Sequence, residues 1–240
     1  GGDYSSLSPA PSPNRYAMNT ARLLLLVLAP ANGVVSGHPG PDSQQALVQE
    51  RLRFGIDAQV IETLTDIREN QRDEFIPAVA ELLRDRRATT VRTAALETLR
   101  ALESAEASDF VRTNLNEDAD LPDALWLEMM RSVRDLEIQL SPAEAEVILD
   151  EIRRDRGQAS TLAVEALTQA AVRSRRVERR LDPEEALLAL LADNASSEGL
   201  RSSVILALGE LASEAAVPEL MSILQDESQP NSLRYFAADS

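Results

Sequence analysis

The sequence predicts an all-α fold, arranged as a solenoid of antiparallel helix pairs. Two observations lead to this prediction: the composition, and a set of apolar positions that recurs along the chain. Apolar residues make up 44% of the 240 residues and aromatic residues only 3%, so alanine and leucine supply most of the apolar surface. This balance favours closely packed helices over sheets, in which aromatic and β-branched residues are enriched.

The recurring positions are found by aligning five helices on their last apolar residue, which gives steps of 35, 34, 34 and 41 residues. Two further apolar residues stand three and seven positions earlier in each helix, so all three lie on one helical face. The fifteen positions are Val60, Leu64, Ile67, Ala95, Leu99, Leu102, Met129, Val133, Leu136, Ala163, Leu167, Ala170, Val204, Leu208 and Leu211. A single helix cannot bury such a face alone, and we therefore expect each helix to stack on its neighbours.

A shorter second helix is expected after each of these first helices. The clearest two, 76–85 and 217–226, match position by position and carry proline in the first turn, where a missing N–H costs little. The other three are expected at 108–116, at 142–154 behind a Ser141 cap, and at 183–192 behind an Asp182 cap.

The helical array is predicted to occupy residues 42–240. A separate helix is expected at 44–54, before the repeats, capped by Asp42 or Ser43 and ended by Gly55. The last helix begins near Pro230, and the sequence ends at Ser240 before the next core position of that helix. We therefore expect the array to be truncated there.

The repeat is best preserved at residues 200–220, which read Leu-Arg-Ser-Ser-Val-Ile-Leu-Ala-Leu-Gly-Glu-Leu-Ala-Ser-Glu-Ala-Ala-Val-Pro-Glu-Leu. This pattern resembles HEAT repeats, particularly the short HEAT-like kind first described in phycobilin lyases, and the resemblance covers about residues 56–240. The central units depart from the pattern at its glycine position, which holds Arg100, Arg134 and Thr168. The resemblance implies an α-solenoid and is unspecific for function, because this family serves mainly as scaffold.

Residues 1–41 are expected to form a disordered leader. Residues 1–17 are rich in serine, proline and glycine. Residues 18–31 follow the plan of a secretory signal peptide: Arg22, an apolar run at 23–29 too short to span a bilayer, and small residues around Ala31. This candidate signal peptide predicts a periplasmic or secreted protein; without a functional leader, the protein would be cytoplasmic.

Composition also limits the chemistry that the chain can perform. The chain has no cysteine, which excludes thiolate zinc sites, disulfides and thiol nucleophiles. Its only histidine, His38, precedes the helices, so a histidine-based metal site or catalytic dyad is not expected. The net charge of −16 disfavours nucleic acid and anionic membrane surfaces. We predict no catalytic residues, no cofactor, no metal and no membrane span, and a monomer whose partner is another protein.

A cluster of arginines marks an insertion of about seven residues in the fourth unit. Its members are Arg173, Arg175, Arg176, Arg179 and Arg180. Guanidinium groups bind anions through paired hydrogen bonds, and this cluster is therefore the candidate partner-binding site. The alternative is a solvated helix extension that nearby carboxylates, Glu178 among them, partly neutralise.

Two other features are interpreted as structural. Acidic residues accumulate on the second helices; the set includes Asp73, Glu74, Glu81, Asp85, Glu144, Glu146, Asp150 and Glu151. They are interpreted as a solvated face, since acid–base catalysis or cation binding needs a defined pocket that spacing does not supply. Trp126 is interpreted as a partly buried core residue, and the alternative is an exposed anchor for a partner.

These observations together predict a non-enzymatic scaffold that mediates protein–protein interaction. The alternative, implied only by the resemblance, is a HEAT-like bilin lyase or chaperone-like accessory protein that acts on a chromophore-binding partner. The candidate signal peptide and the absence of a recognisable chromophore site favour the scaffold. A metal-dependent hydroxylase built on HEAT repeats would need histidine ligands, and the single histidine lies outside the array.

Overall fold

A computed structural model describes residues 41–85, 87–117, 120–175, 181–193 and 195–240. Within these ranges the regular structure is entirely helical, with twelve α-helices, two short 3-10 helices and no strand. The all-α prediction is thereby confirmed for the described part of the chain. His38 and the candidate signal peptide at 18–31 lie outside the described residues.

The described helices are 9 to 18 residues long. In chain order they are α1 (Pro41–Phe54), α2 (Asp57–Glu69), α3 (Ile76–Arg84), α4 (Thr89–Ala101), α5 (Ala105–Asn116), α6 (Asp123–Asp135), α7 (Pro142–Arg153), α8 (Gln158–Arg175), α9 (Glu184–Ala192), α10 (Glu198–Glu210), α11 (Val217–Gln225) and α12 (Asn231–Asp239). The 3-10 helices, Asp73–Phe75 and Glu214–Ala216, lead directly into α3 and α11.

Helix packing follows the order of the chain. Each even-numbered helix from α2 to α10 packs on the next even-numbered helix. The odd-numbered helices α1, α3, α5 and α7 likewise contact one another in succession. Among the described residues, every extensive contact joins helices that are no more than two places apart in sequence.

The first helices predicted from the sequence are the even-numbered helices α2, α4, α6, α8 and α10, and their predicted apolar face is confirmed. Fourteen of the fifteen predicted positions are buried, and the remaining one, Leu136, is half-buried. Burying one such leucine, valine or methionine side chain stabilises the fold by about 1.5–3 kcal/mol. The even-numbered helices therefore supply a large part of the core.

The predicted alignment of the first unit is wrong by one turn. The structure places the end of α2 so that Ile67 corresponds to Leu99 of α4, and not to Leu102 as the pattern predicts. Leu102 is instead the residue that caps the C-terminus of α4, where α2 carries Asn70. Apolar residues one turn apart satisfy the same 3.6-residue period, so the pattern alone could not distinguish the two alignments.

Four of the even-numbered helices end in the same turn. The residue after the C-cap has a φ near 50°; it is Gln71, Glu103, Glu137 or Ala212. The next backbone N–H donates to the carbonyl oxygen five residues earlier, at 3.0 Å from Ser213 to Leu208 and at 3.1 Å from Ile138 to Val133. This is the Schellman arrangement, in which a left-handed residue closes the helix. None of the four is glycine, so each turn carries about 1–2 kcal/mol of backbone strain.

Relief of this strain gives a first prediction. Ala212→Gly should raise the free energy of unfolding by about 0.5–1 kcal/mol, because glycine adopts a positive φ without a Cβ clash. Ala207→Gly, inside α10, is the matched control and should lower it by about 1 kcal/mol. Urea denaturation measures both variants. A loss of stability at both positions would show that the turn after α10 is not strained.

Several predicted helix boundaries are confirmed. Both α3 and α11 are nine residues long, with Pro77 and Pro218 in the first turn. Ser141 caps α7 as predicted: its Oγ accepts the Glu144 N–H at 3.2 Å, and its own N–H donates to Glu144 Oε2 at 2.7 Å. α9 begins at Glu184, one residue later than predicted, because Pro183 and not Asp182 is its N-cap; Asp182 Oδ1 still accepts the Glu184 N–H at 3.3 Å.

Two helices begin three residues earlier than predicted. α5 starts at Ala105, because Ser104 Oγ accepts the N–H of Ala107 and caps the helix there. α1 starts at Pro41, and proline fits the first position of a helix, whose N–H would lack an intrahelical partner. The predicted caps Asp42 and Ser43 therefore lie within the first turn of α1.

Candidate interaction surfaces

The predicted arginine cluster is described only in part. Arg176, Arg179 and Arg180 lie outside the described residues. Arg175, the last residue of α8, donates from Nη1 to the carbonyl oxygen of Leu211 at 2.8 Å. This bond attaches α8 to the C-terminal end of α10. Arg173 is half-buried, and its Nε and Nη2 have no hydrogen-bond partner in the described part of the chain. Partner binding by the arginine cluster stays a prediction.

Arginines cap helix ends elsewhere in the same way. Arg87 donates to three carbonyl oxygens at the end of α1: that of Arg53 at 2.7 Å, Gly55 at 3.0 Å and Leu52 at 3.4 Å. The last carbonyls of a helix lack intrahelical partners, and the planar guanidinium offers several donors at once. Arg87 therefore fixes the C-terminus of α1 against the start of α4.

A ladder of ion pairs joins the first three even-numbered helices to their successors. Arg68 pairs with Glu97, Arg100 Nε lies 2.7 Å from Glu128 Oε1, and Arg134 Nη1 lies 3.4 Å from Glu165 Oε2. The Arg134 side chain also hydrogen-bonds Asp135, and this bond holds the pKa of Arg134 above its usual value. The three arginines occupy the same helical position, and each reaches an acid on the next even-numbered helix.

This ladder gives a structural role to Arg100 and Arg134, two of the residues that stand at the glycine position of the predicted pattern. At Arg100 and Arg134 a long side chain is needed to reach the neighbouring acid. At Gly209 the residue that follows α12 comes too close for a side chain, since a Cβ there would lie 2.7 Å from the Ser240 Cβ. Thr168, the third residue at this position, donates instead from Oγ1 to the carbonyl oxygen of Val164 in its own helix, at 2.7 Å.

The prediction of a fully solvated acidic face is wrong for two residues of the second helices. Glu144 and Glu151 of α7 are buried. Glu144 Oε1 lies 3.6 Å from Arg112 Nη1, and Glu151 pairs with Arg154 and with Arg156, whose Nη2 is 3.2 Å from Oε2. These carboxylates are buried because arginines from α5 and from the α7–α8 turn neutralise them. Other acids of the set, including Glu146 and Asp150, are exposed as predicted.

Trp126 is a core residue. Its side chain is 4% exposed within α6, which confirms the interpretation as core and excludes the exposed anchor.

Sequence reasoning missed a groove between α1 and α3. Its volume is about 610 Å³. Its lining residues include Glu50, Arg53, Phe54, Glu74, Pro77, Ala78, Glu81, Leu82 and Asp85. Phe54 at the end of α1 is 76% exposed, which is unusual for a phenylalanine. The sequence shows the acids in and around α3, but no repeat pattern indicates that α1 lies beside them.

A second surface lies on α10, α11 and α12. It holds a shallow cavity of about 280 Å³ beside the exposed side chains of Val217 and Met221. Met221 corresponds to Ala80 of α3, and Ala80 is buried. In the described part of the chain, α5 packs on α3 and no helix takes the equivalent place on α11.

Within the described ranges, no three or more acidic or histidine side chains are placed to hold a metal ion.

No protein-family model matches the chain, and no curated protein matches it at a significant level. Among the described helices, none combines the length and the apolar character that a membrane span requires.

Proposed function

We propose that the helices form an α-solenoid of HEAT-like pairs and that the protein is a non-enzymatic scaffold that binds another protein. The observation that carries this proposal is that extensive contacts between the described helices join only helices no more than two places apart. Such nearest-neighbour burial distinguishes a stacked array from a core that brings distant segments together.

The spacing of the first helices supports the same proposal. The even-numbered helices begin at Asp57, Thr89, Asp123, Gln158, Glu198 and Asn231, which are 32, 34, 35, 40 and 33 residues apart. The same turn ends α2, α4, α6 and α10, and the arginine ladder joins α2, α4, α6 and α8 in series, so several units share the same local contacts. The longest interval follows α8, which has 18 residues where four of the other first helices have 13.

A stacked array suits protein recognition for a geometric reason. A stable protein–protein interface takes about 800 Å² and about 20–30 residues from each partner. The second helices α3, α5 and α7 contact one another in succession, and helices stacked in this way present an extended surface of the kind that a protein partner needs.

A crosslinking experiment tests the scaffold proposal. The chain contains no cysteine, so one introduced cysteine provides a single labelling site. A photoreactive label is placed on the second helices with Asp150→Cys, or on the first helices with Glu165→Cys. We expect one of the two sites to capture a specific protein that co-elutes with the chain in stoichiometric amount. Capture of nothing from either site, together with turnover of a small molecule by the chain, would contradict the proposal.

We also propose that residues 18–31 direct export. The support is the sequence pattern alone, since these residues lie outside the described part. Expressed from Met18 in bacteria, the protein should reach the periplasm with a new N-terminus after Ala31 or Gly37. An intact N-terminus on cytoplasmic protein, measured by mass spectrometry, would contradict export and leave the scaffold proposal unaffected.

A further inference from the structure

We infer that the groove between α1 and α3 binds a basic amphipathic helix of a partner protein. The inference rests on the proposed scaffold function and adds to it a surface and the chemistry of the partner.

The groove has an apolar floor between two helical walls. Leu52 of α1 and Leu82 of α3 are buried at its base, and Pro77 and Ala78 are among the residues that line it. A trough between two helices, with small side chains on one wall, is the shape that accepts the apolar face of a third helix. The volume of about 610 Å³ accommodates several side chains.

The rim of the groove is acidic. Glu50, Glu74, Glu81 and Asp85 line it together with one cation, Arg53, which leaves three negative charges in excess. Arg53 Nη2 lies 3.7 Å from Glu81 Oε2, and both side chains are more than 60% exposed, so this ion pair is weak and easily exchanged. Glu50 and Asp85 form no ion pair with any other described residue. These carboxylates therefore remain available to cations on a partner.

Phe54 gives the groove an aromatic anchor at one end. Exposed aromatic residues on a rigid support are typical hot spots of protein interfaces, and their rings attract guanidinium and ammonium groups. The support is rigid because Arg87 binds three carbonyls at the end of α1. Only glycine fits next to Phe54 in this turn, since a Cβ at Gly55 would lie 2.4 Å from the Arg51 carbonyl oxygen. A preformed anchor has little conformational entropy to lose on binding.

The negative charge of the rim favours a basic helix over nucleic acid, an anionic membrane or a second copy of the chain. Nucleic acid and anionic membranes are repelled by an acidic rim. A second copy of the chain has the same net charge of −16 and is repelled as well. A helix with arginine or lysine on its polar face and leucine on its apolar face matches both the rim and the floor.

The test is a binding titration with the full chain. The probe is a fluorescein-labelled peptide of about 14 residues, about 20 Å as a helix, with leucine and arginine on opposite faces. The reference probe has glutamate in place of every arginine. We expect the arginine peptide to bind at least about tenfold more tightly than the glutamate peptide, because opposite charges at an interface favour one partner over another.

Matched variants locate the binding site. Glu81→Arg with Asp85→Arg should weaken binding of the arginine peptide by about tenfold, and Phe54→Ala by about fivefold. The control is Glu146→Arg with Asp150→Arg, an equally spaced exposed pair on α7, which should change binding by less than about twofold. An equal loss in both pairs would overturn the inference, because it would show unspecific attraction to an acidic protein.

A photoreactive label on Ala78→Cys identifies the occupant. An adduct with the mass of one chain and one peptide supports the inference. A product with the mass of two chains, or a crosslink within one chain to residues 1–40, would overturn it by showing that the protein itself occupies the groove. If the groove binds no peptide while Asp150→Cys or Glu165→Cys still captures a partner, the inference fails and the scaffold proposal stands.

Discussion

Replacing Phe75 with alanine is expected to lower the free energy of unfolding by about 3–5 kcal/mol. Phe75 ends the 3-10 turn before α3 and is the largest fully buried side chain in the described part of the chain. The Arg72 guanidinium stacks 4.5 Å from the centre of its ring. The substitution removes the buried ring, leaves a cavity and also removes this cation–π contact.

Phe54→Ala is the matched control for Phe75→Ala. It removes the same atoms from a side chain that is 76% exposed, so the free energy of unfolding should change by less than about 0.5 kcal/mol. Urea denaturation followed by circular dichroism measures both variants. Equal effects at the two positions would contradict the burial that the structure assigns to them.

Removing Arg100 is expected to have the next largest effect. Glu128 of α6 is only 1% exposed, and Arg100 Nε and Arg131 Nη1 lie 2.7 and 3.1 Å from its carboxylate oxygens. Arg100→Met leaves this buried carboxylate with Arg131 alone, whose side chain is more exposed than that of Arg100. An incompletely paired buried charge costs about 3 kcal/mol, and we expect a loss of that size.

A double variant distinguishes the effect of the buried charge from the effect of lost packing. Arg100→Met with Glu128→Met should recover most of the lost stability, since apolar residues of similar volume replace a buried ion pair at little cost. Arg153→Met, which breaks the exposed pair with Asp150, should change the free energy of unfolding by less than about 0.5 kcal/mol. If the double variant is less stable than Arg100→Met alone, the buried charge is not the cause of the loss.

The helices could be predicted from the sequence because their signals are local. The three apolar positions of each first helix follow from its period, and Ser141 and the two prolines mark helix starts through groups a few residues away. The alignment of Ile67 with Leu99 could not be predicted. Leu102, the C-cap of α4, stands three residues after Leu99 and so fits the helical period as well. Only the backbone turn at Glu103 shows where α4 stops.

The surfaces were harder to predict because they depend on contacts between units. Burial of Glu144 and Glu151 requires arginines from neighbouring segments, and the sequence does not show which charges meet. Arg175 belongs to a predicted site, but its guanidinium contacts a carbonyl 36 residues away. The groove beside Phe54 follows from the packing of α1 on α3, which no repeated pattern reports.

Hydrogen exchange of the wild-type chain and of Phe75→Ala tests the nearest-neighbour packing most directly. In the wild type, α6 and α8 are the middle pair of the first helices and should exchange slowest. Among the described residues α12 packs extensively only on α10 and α11, and it should exchange fastest. In Phe75→Ala, exchange should accelerate in α2 to α5 and stay unchanged in α10 to α12. Equal acceleration from α2 to α12 would contradict the stacked array and show a single cooperative core.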